Sequence, residues 1–267
     1  MPRMRAAPRL ALLAALLASA GAAFEAADRQ PVPRVTSPAE LKVQVIRTYP
    51  HDPRAFTQGL LLSQGVLLES TGLVGQSSLR RVEVATGRVR QQVPVPPPYF
   101  AEGLALVGQR LYQLTWQHGQ VLLYDARTFA RVGELSYDGE GWGLCHDGRA
   151  LVMSNGSDEL VVRDPATFAV RRRLRVTVSG RPLDRLNELE CVGGEVYANV
   201  WTTDTIVRID LKTGQVTARI DASGLLSPLE RTGVDVLNGI AHDPADGTFL
   251  ITGKLWPKLF RVRFVPT

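Results

Sequence analysis

The chain has 267 residues, with 31 Lys and Arg against 26 Asp and Glu, a formal charge of +5. Three of the arginines (Arg3, Arg5, Arg9) fall in an N-terminal segment that reads as removable, so +5 becomes +2 and the basic balance argues for no nucleic-acid partner. Two cysteines, Cys145 and Cys191, exclude a disulfide scaffold, and the roughly 240 residues left can bury the core of one domain.

Residues 1–23 combine that basic start with an apolar run from Leu10 to Leu17 and small residues around Ala18-Ser19-Ala20. This is the pattern of a secretory signal, too short for a comfortable membrane span. It predicts a periplasmic or secreted protein with no membrane attachment once the signal is cleaved. Residues 24–40, rich in Ala, Pro and charge, read as a linker. Residues 41–49 (LKVQVIRTY) alternate in part and read as a strand.

Four short strands follow in each of four repeats, separated by turn residues. The first repeat runs GLLLS, VLLEST, SLRRVEVA, RVRQQVPV; the second GLALV, RLYQLTW, VLLYDA, ARVGELSY. The third is WGLCH, ALVMSN, LVVRDP, AVRRRLRVTV, and the fourth ELECV, EVYANVW, IVRIDL, QVTARIDA. Turns between third and fourth strands fall at Thr86-Gly87, Thr128-Phe129, Thr167-Phe168 and Thr213-Gly214. The Arg171–Arg175 cluster reads as an exposed outer strand whose charge discourages edge pairing. A single helical turn is expected near 225–231.

A fifth repeat (GIAHD, FLITGK, LFRVRFV) ends one strand short. The orphan strand 41–49 can complete it, closing a ring without leaving edges. The expectation is an all-β, five-bladed β-propeller over 41–267, and a closed ring with no sticky edge predicts a monomer.

The five repeats share an entrance motif: FTQGL (56–60), FAEGL (100–104), GWGL (141–144), NELE (187–190) and NGI (238–240). Aligned, one column holds Gln58, Glu102, Trp142, Glu188 and Asn238, at intervals of 44, 40, 46 and 50 residues, a repeat period. The ends of the second strands form another column, Thr71, Trp116, Gly156, Trp201 and Lys254. Antiparallel pairing sets the two columns side by side on one rim, with Phe56 and Asn187 adjacent. Apolar walls with a few convergent polar groups make a small-molecule site. Glu102 among indoles would be desolvated and its pKa raised toward neutrality. The alignment also puts Cys145 and Cys191 at one position of neighbouring repeats. There, equivalent side chains point the same way round a ring, so the pair is expected to be unbridged. His146 and His242 sit in His-Asp turn signals, not in a zinc motif.

The runs FTQGL, ESTG (69–72), GQSSLR (75–80), GEGWGL (139–144), LNELE (186–190), NVW (199–201), LNGI (237–240) and TGKLWP (252–257) resemble the plant-type, papaya-like glutaminyl cyclases, which have bacterial members. The resemblance implies a five-bladed propeller that needs no metal or other cofactor. It implies conversion of the N-terminal glutamine of peptides or proteins to pyroglutamate with release of ammonia. It puts the acidic catalyst on Glu102 and substrate-site residues on Phe56, Gln58, Trp116, Trp142, Asn187, Trp201 and Lys254. Gln58, Asn187 and Lys254 would be the candidates to hold the developing oxyanion. Ala101 stands where the family pattern has glycine, and Asn155 where it has aspartate. Two other readings stay open on the residues alone: a lactonase-like hydrolase with calcium ringed by Glu102, Asn187, Glu188 and Asn238, and a non-catalytic peptide-binding propeller.

Overall fold

The computed structural model describes residues 37–267; the signal segment and most of the linker lie outside the described residues. β1 (Ala39–Pro50) precedes a first group, β2 (Thr57–Ser63), β3 (Val66–Thr71), β4 (Ser78–Val82) and β5 (Val89–Pro94). The second group is β6 (Ala101–Val107), β7 (Arg110–Thr115), β8 (Gln120–Asp125) and β9 (Arg131–Ser136). The third is β10 (Leu144–His146), β11 (Leu151–Met153), β12 (Glu159–Arg163) and β13 (Val170–Arg175), followed by a small hairpin, β14 (Thr177–Val178) and β15 (Arg181–Pro182). The fourth is β16 (Leu186–Val192), β17 (Glu195–Val200), β18 (Thr205–Asp210) and β19 (Val216–Asp221). The last is β20 (Leu237–Asp243), β21 (Thr248–Gly253) and β22 (Lys258–Pro266). No helix is present among the described residues; at 225–231 one turn closes through the Arg231 N–H on the Ser227 carbonyl at 3.1 Å.

The expected strand at 41–49 begins two residues earlier and does complete the last group. β1 pairs antiparallel with β22 from Leu41↔Pro266 to Pro50↔Lys258. It also pairs in parallel with β19 at Ala39–Lys42, which merges the last two groups into one eight-stranded sheet. His51, just after β1, pins this junction. Its Nδ1 lies 2.7 Å from the Trp256 carbonyl and its Nε2 2.9 Å from Glu69 Oε1, both side chains being buried.

Each group buries its two faces against two neighbours. β2 lies against β6, β6 against β10, β10 against β16, β16 against β20, and β20 against β2. Five apolar clusters fill the spaces between successive groups, and the circuit includes the last-to-first interface, where Leu60, Leu67 and Val82 pack on Ala241, Leu250 and Leu259. The fold is thus an all-β, propeller-like arrangement. The turn dipeptides hold their second residues at positive φ, including Phe129 (61°) and Phe168 (60°). That backbone state costs a non-glycine residue about 1–3 kcal/mol. Both rings are buried, under the guanidinium groups of Arg81 and Arg163 at 5.0 and 4.8 Å, and burying a phenylalanine returns about 1.5–3 kcal/mol. The arginine cluster of β13 is exposed as expected, and Arg171, Arg173 and Arg175 pair with Asp164, Glu159 and Asp158.

The first strands share an irregularity that the sequence alignment did not locate. Their ladders with the second strands slip by one residue at Thr57/Gly59, Ala101/Leu104, Leu186/Leu189 and Leu237/Ile240. In the third group Trp142 and Gly143 both bond Ser154, the same two-against-one pattern. Past the slip comes a fully buried apolar residue in each case: Leu60, Leu104, Leu144, Leu189 and Ile240, all at most 1% exposed. Two residues before it stand Gln58, Glu102, Trp142, Asn187 and Asn238. Asn187, not Glu188, is therefore the fourth member of the column. The second column shifts likewise. The Gly72 N–H donates to the Phe56 carbonyl as those of Trp116, Trp201 and Lys254 donate to residues 100, 185 and 236, so Gly72 replaces Thr71.

This one-residue correction overturns the expectation for the cysteines. Cys145 follows Leu144 by one and Cys191 follows Leu189 by two, so on alternating strands their side chains point to opposite sides. β10 and β16 are neighbours, and the two sulfurs meet in a disulfide with Cα atoms 5.5 Å apart. His146 and His242 lie within β10 and β20 instead of in turns.

Glu188 takes the position that is glycine in the other four groups. There the chains approach so closely that a Cβ on Gly59 or Gly103 would lie 2.5 Å from the backbone nitrogen of Leu104 or Leu144. Glu188 instead reaches across, fully buried, and accepts the N–H of Leu60 at 3.1 Å and of Ile240 at 2.8 Å. Burial, with Glu190 nearby, pushes its carboxyl well above the usual range. One side chain thus ties the fourth group to the first and last. Glu188→Ala leaves both N–H groups buried without an acceptor and is expected to cost about 2–5 kcal/mol in urea unfolding. Glu188→Gln, which keeps one acceptor oxygen, should cost less; equal and small losses would contradict the bridging role.

Candidate active site

The slips described above decide which side chains reach the open end of the first strands. A bulge sets two residues against one partner and re-aims the extra side chain. Gln58, Glu102, Trp142 and Asn187 are turned by it into one cavity of about 290 Å³. Phe56, Trp116, Trp201 and Lys254 complete the eight residues expected at the site, and all eight line this cavity. Phe100 and Asp235 line it too. Trp256 lies in the core, 2% exposed, with its indole N–H on the Asp235 carbonyl at 2.9 Å.

The walls are aromatic. Trp142 and Trp201 meet edge to face at 5.4 Å between ring centres, and Trp116, Phe100 and Phe56 form a second run at 5.7 and 6.0 Å. Trp116 and Trp201 are 37% and 38% exposed and form the lip. Trp116 and Trp142 are joined by a residue that the sequence reading passed over. Glu140 accepts the indole N–H of Trp116 at 2.8 Å and of Trp142 at 3.0 Å on one oxygen, and the Gln117 amide at 3.0 Å on the other. Burial opposes ionisation of Glu140, but these three hydrogen bonds outweigh it and hold its carboxyl below the usual range.

The floor is polar and ordered. Asn238 Nδ2 donates to Gln58 Oε1 at 3.2 Å and to the Thr57 carbonyl at 3.0 Å; Gln58 Nε2 in turn donates to Glu102 Oε1 at 3.0 Å. Asn238 is therefore a support behind Gln58, not a wall of the cavity. Glu102 is 4% exposed. Burial pushes its carboxyl well above the usual range; Lys254 opposes the shift and Glu140 adds to it. Burial lowers the Lys254 ammonium, with Glu102 and Asp235 opposing. Lys254 Nζ sits 4.9 Å from the centre of the Phe56 ring and makes no ion pair among the described residues. The Asn187 side chain also has no hydrogen-bond partner among the described residues, and its Oδ1 is buried. A buried amide oxygen left unpaired in a cavity wall is open to a partner from a ligand.

Chemically, the cavity offers one proton-exchanging carboxyl, one cation and one free amide inside an aromatic box. No group of three or more His, Cys, Asp or Glu suited to a metal occurs among the described residues. Of the oxygen donors a calcium ring would use, both carboxyl oxygens of Glu188 are already engaged by the backbone N–H groups of Leu60 and Ile240. Phe100 was legible as the counterpart of Phe56 in the second repeat, and Glu140 stands two residues before Trp142 in GEGWGL. No sequence signal marked Asp235, which lies in a loop between repeats.

Comparisons with known proteins agree on the family. A family model described as glutamine cyclotransferase matches residues 12–264. The chain is 43% identical over 227 residues to a glutaminyl-peptide cyclotransferase of Arabidopsis thaliana, covering 83% of this chain and 71% of the relative. It is 40% identical to the glutaminyl cyclase of Myxococcus xanthus, whose crystal structure superposes with a TM-score of 0.79 over 86% of this chain and 99% of that one.

Because one carboxylate oxygen orients two indoles, Glu140→Gln should disturb both at once. The expected readout is a shifted tryptophan emission with an unchanged thermal midpoint, and a rise in KM for any ligand of the box. An unaltered emission spectrum would show that the indoles are held without Glu140.

Proposed function

We propose, for a chain that belongs to the glutamine cyclotransferase family, that this enzyme closes the N-terminal glutamine of peptides or proteins to pyroglutamate and releases ammonia. The observation that carries the reading is Glu102: a buried carboxyl, raised by that burial, at the foot of an aromatic box that also holds Lys254 and Asn187, whose buried Oδ1 has no hydrogen-bond partner among the described residues.

The reaction is an intramolecular acyl transfer. The α-nitrogen attacks the side-chain amide carbon, a C–N bond forms, and the original amide C–N bond breaks with loss of ammonia. A glutamine side chain is extended in most rotamers, so the first task is to fold it over itself. Trp116, Trp142 and Trp201 supply walls that do so, and fixing one rotamer of an intramolecular pair removes much of the barrier. Glu102 takes the proton that the attacking nitrogen sheds and passes it to the departing one. Gln58 is committed to Asn238 and Glu102 and so positions the carboxyl. That leaves Asn187 and Lys254 to face the oxygen on which charge develops, a contribution of about 3 kcal/mol for one well-placed donor.

The same proposal extends to the frame around the site. A five-bladed propeller is supported by the five apolar clusters and by the pairing of β1 with β22. Export to a periplasmic or extracellular space, after loss of the signal at 1–23 and ahead of a linker, is supported by the Cys145–Cys191 disulfide, since such bonds persist in oxidising compartments. No helix among the described residues is long and apolar enough to cross a membrane. We read the mature protein as a monomer that acts without a metal.

Ammonia release from Gln-Ala-Ala, followed with a coupled assay, should be seen with the wild type and lost by at least about a thousand-fold in Glu102→Gln at unchanged thermal midpoint, a general acid–base contribution combined with mispositioning. The kcat profile should lose activity as pH falls through the raised Glu102 value, above the usual carboxylate range. In Glu140→Gln, which removes a negative charge that raises Glu102, that limb should move to lower pH. Near-normal turnover by Glu102→Gln would reject the assignment.

A further inference from the structure

The glutamine cavity does not end at its lip. Asp235, which lines it, also lines a second cleft of about 390 Å³, bounded further by Thr202, Asp204, Leu226, Arg231 and Trp256. Thr202, which directly follows Trp201 of the aromatic box, lines this cleft as well. The two spaces therefore adjoin at Asp235 and at the Trp201–Thr202 step. A peptide whose first residue is folded into the box must leave it at the lip, and at about 3.3–3.6 Å per residue its next one or two residues reach this cleft.

The charges there do not cancel. Arg231 Nη2 pairs with Asp204 Oδ2 at 2.9 Å. Asp235 enters no ion pair among the described residues; one of its oxygens accepts the N–H of Val236 at 2.6 Å. Its backbone is fixed from both ends, since its N–H donates to the Lys254 carbonyl at 3.0 Å and its own carbonyl holds the Trp256 indole. The Asp235 backbone is thus fixed at the boundary between the two spaces; among the charged side chains lining the cleft its negative charge is left over once the Arg231–Asp204 pair is counted, and the Lys254 ammonium of the box is the nearby cation that it acts on.

Building on the glutaminyl cyclase reading, we propose that this cleft is a subsite for the residue after the glutamine, and that Asp235 gives it a preference for a cationic side chain, Lys or Arg, over an acidic one. Val234, partly buried and lining the cleft, offers apolar surface to the aliphatic stem of such a side chain while its charged end meets Asp235, an arrangement that suits long cationic residues.

The test compares kcat/KM for Gln-Lys-Ala, Gln-Glu-Ala and Gln-Ala-Ala at pH 7 and low salt, with the full-length mature protein. A half-exposed ion pair predicts that the Lys peptide exceeds the Glu peptide about three-fold or more, and that the ratio shrinks as salt is added. In Asp235→Asn the ratio should fall to near one; in Arg231→Gln, which releases the Asp204 charge, it should widen. Because the readout is a ratio within one enzyme, a general loss of activity in either variant does not blur it. Turnover of Gln-Ala-Ala without a Lys-over-Glu preference, or a preference that survives Asp235→Asn, overturns the subsite alone. No turnover of any of the three peptides overturns the cyclase reading with it.

Discussion

The one-residue slip at the head of each first strand is the constraint from which the site follows. In a regular ladder, alternate side chains would point into the spaces between sheets, which apolar clusters mainly fill. The slip sets two residues against one, turns the extra side chain out of that alternation and brings the next strand's backbone close. That closeness requires glycine after Gln58, Glu102 and Trp142, and the chain has it there; after Asn238 the glycine is favoured by a φ of 122°. Where it has Glu188 instead, the side chain spans to Leu60 and Ile240 and joins the groups. One backbone irregularity thus both aims the chemistry and sets how the sheets meet.

The electrostatics of the cavity depend on the same packing. Glu102 is costly to ionise because apolar and aromatic groups surround it, and Lys254 is costly to protonate for the same reason. Their opposite charges soften both costs without the two groups touching. Glu140, outside the box, keeps its charge because three N–H groups point at it. It serves the interior twice, by orienting Trp116 and Trp142 and by raising Glu102. The two carboxyls are thus shifted in opposite directions, set by whether donors or hydrocarbon face them.

Much of this was legible in the chain. The interval between FTQGL, FAEGL and GWGL marked repeated first strands, and the missing strand of the last repeat pointed to residues 41–49, which pair with β22. Gln58, Glu102, Trp142, Trp116, Trp201 and Lys254 were recoverable from the two aligned columns, and Phe56 and Asn187 from their places beside them and from the family resemblance. What sequence could not supply was the phase of the fourth repeat. NELE offers a leucine flanked by two glutamates, and either glutamate or the asparagine can be set against Gln58. Only the buried Leu189 settles it, and burial is a property of the folded chain. The error of one residue reversed the facing of Cys191 and concealed the disulfide. Asp235 and Glu140 were hidden differently: each acts through a spatial neighbour from a loop, where no periodicity operates.

The most direct test of this account is a crystal structure of Glu102→Gln soaked with Gln-Lys-Ala, whose first residue would remain uncyclised. The account predicts the glutamine side chain folded between Trp116, Trp142 and Trp201, its amide oxygen facing Asn187 and Lys254, and its α-nitrogen at hydrogen-bonding distance from residue 102. A peptide bound with its first residue outside that box, or with the α-nitrogen remote from residue 102, would contradict it.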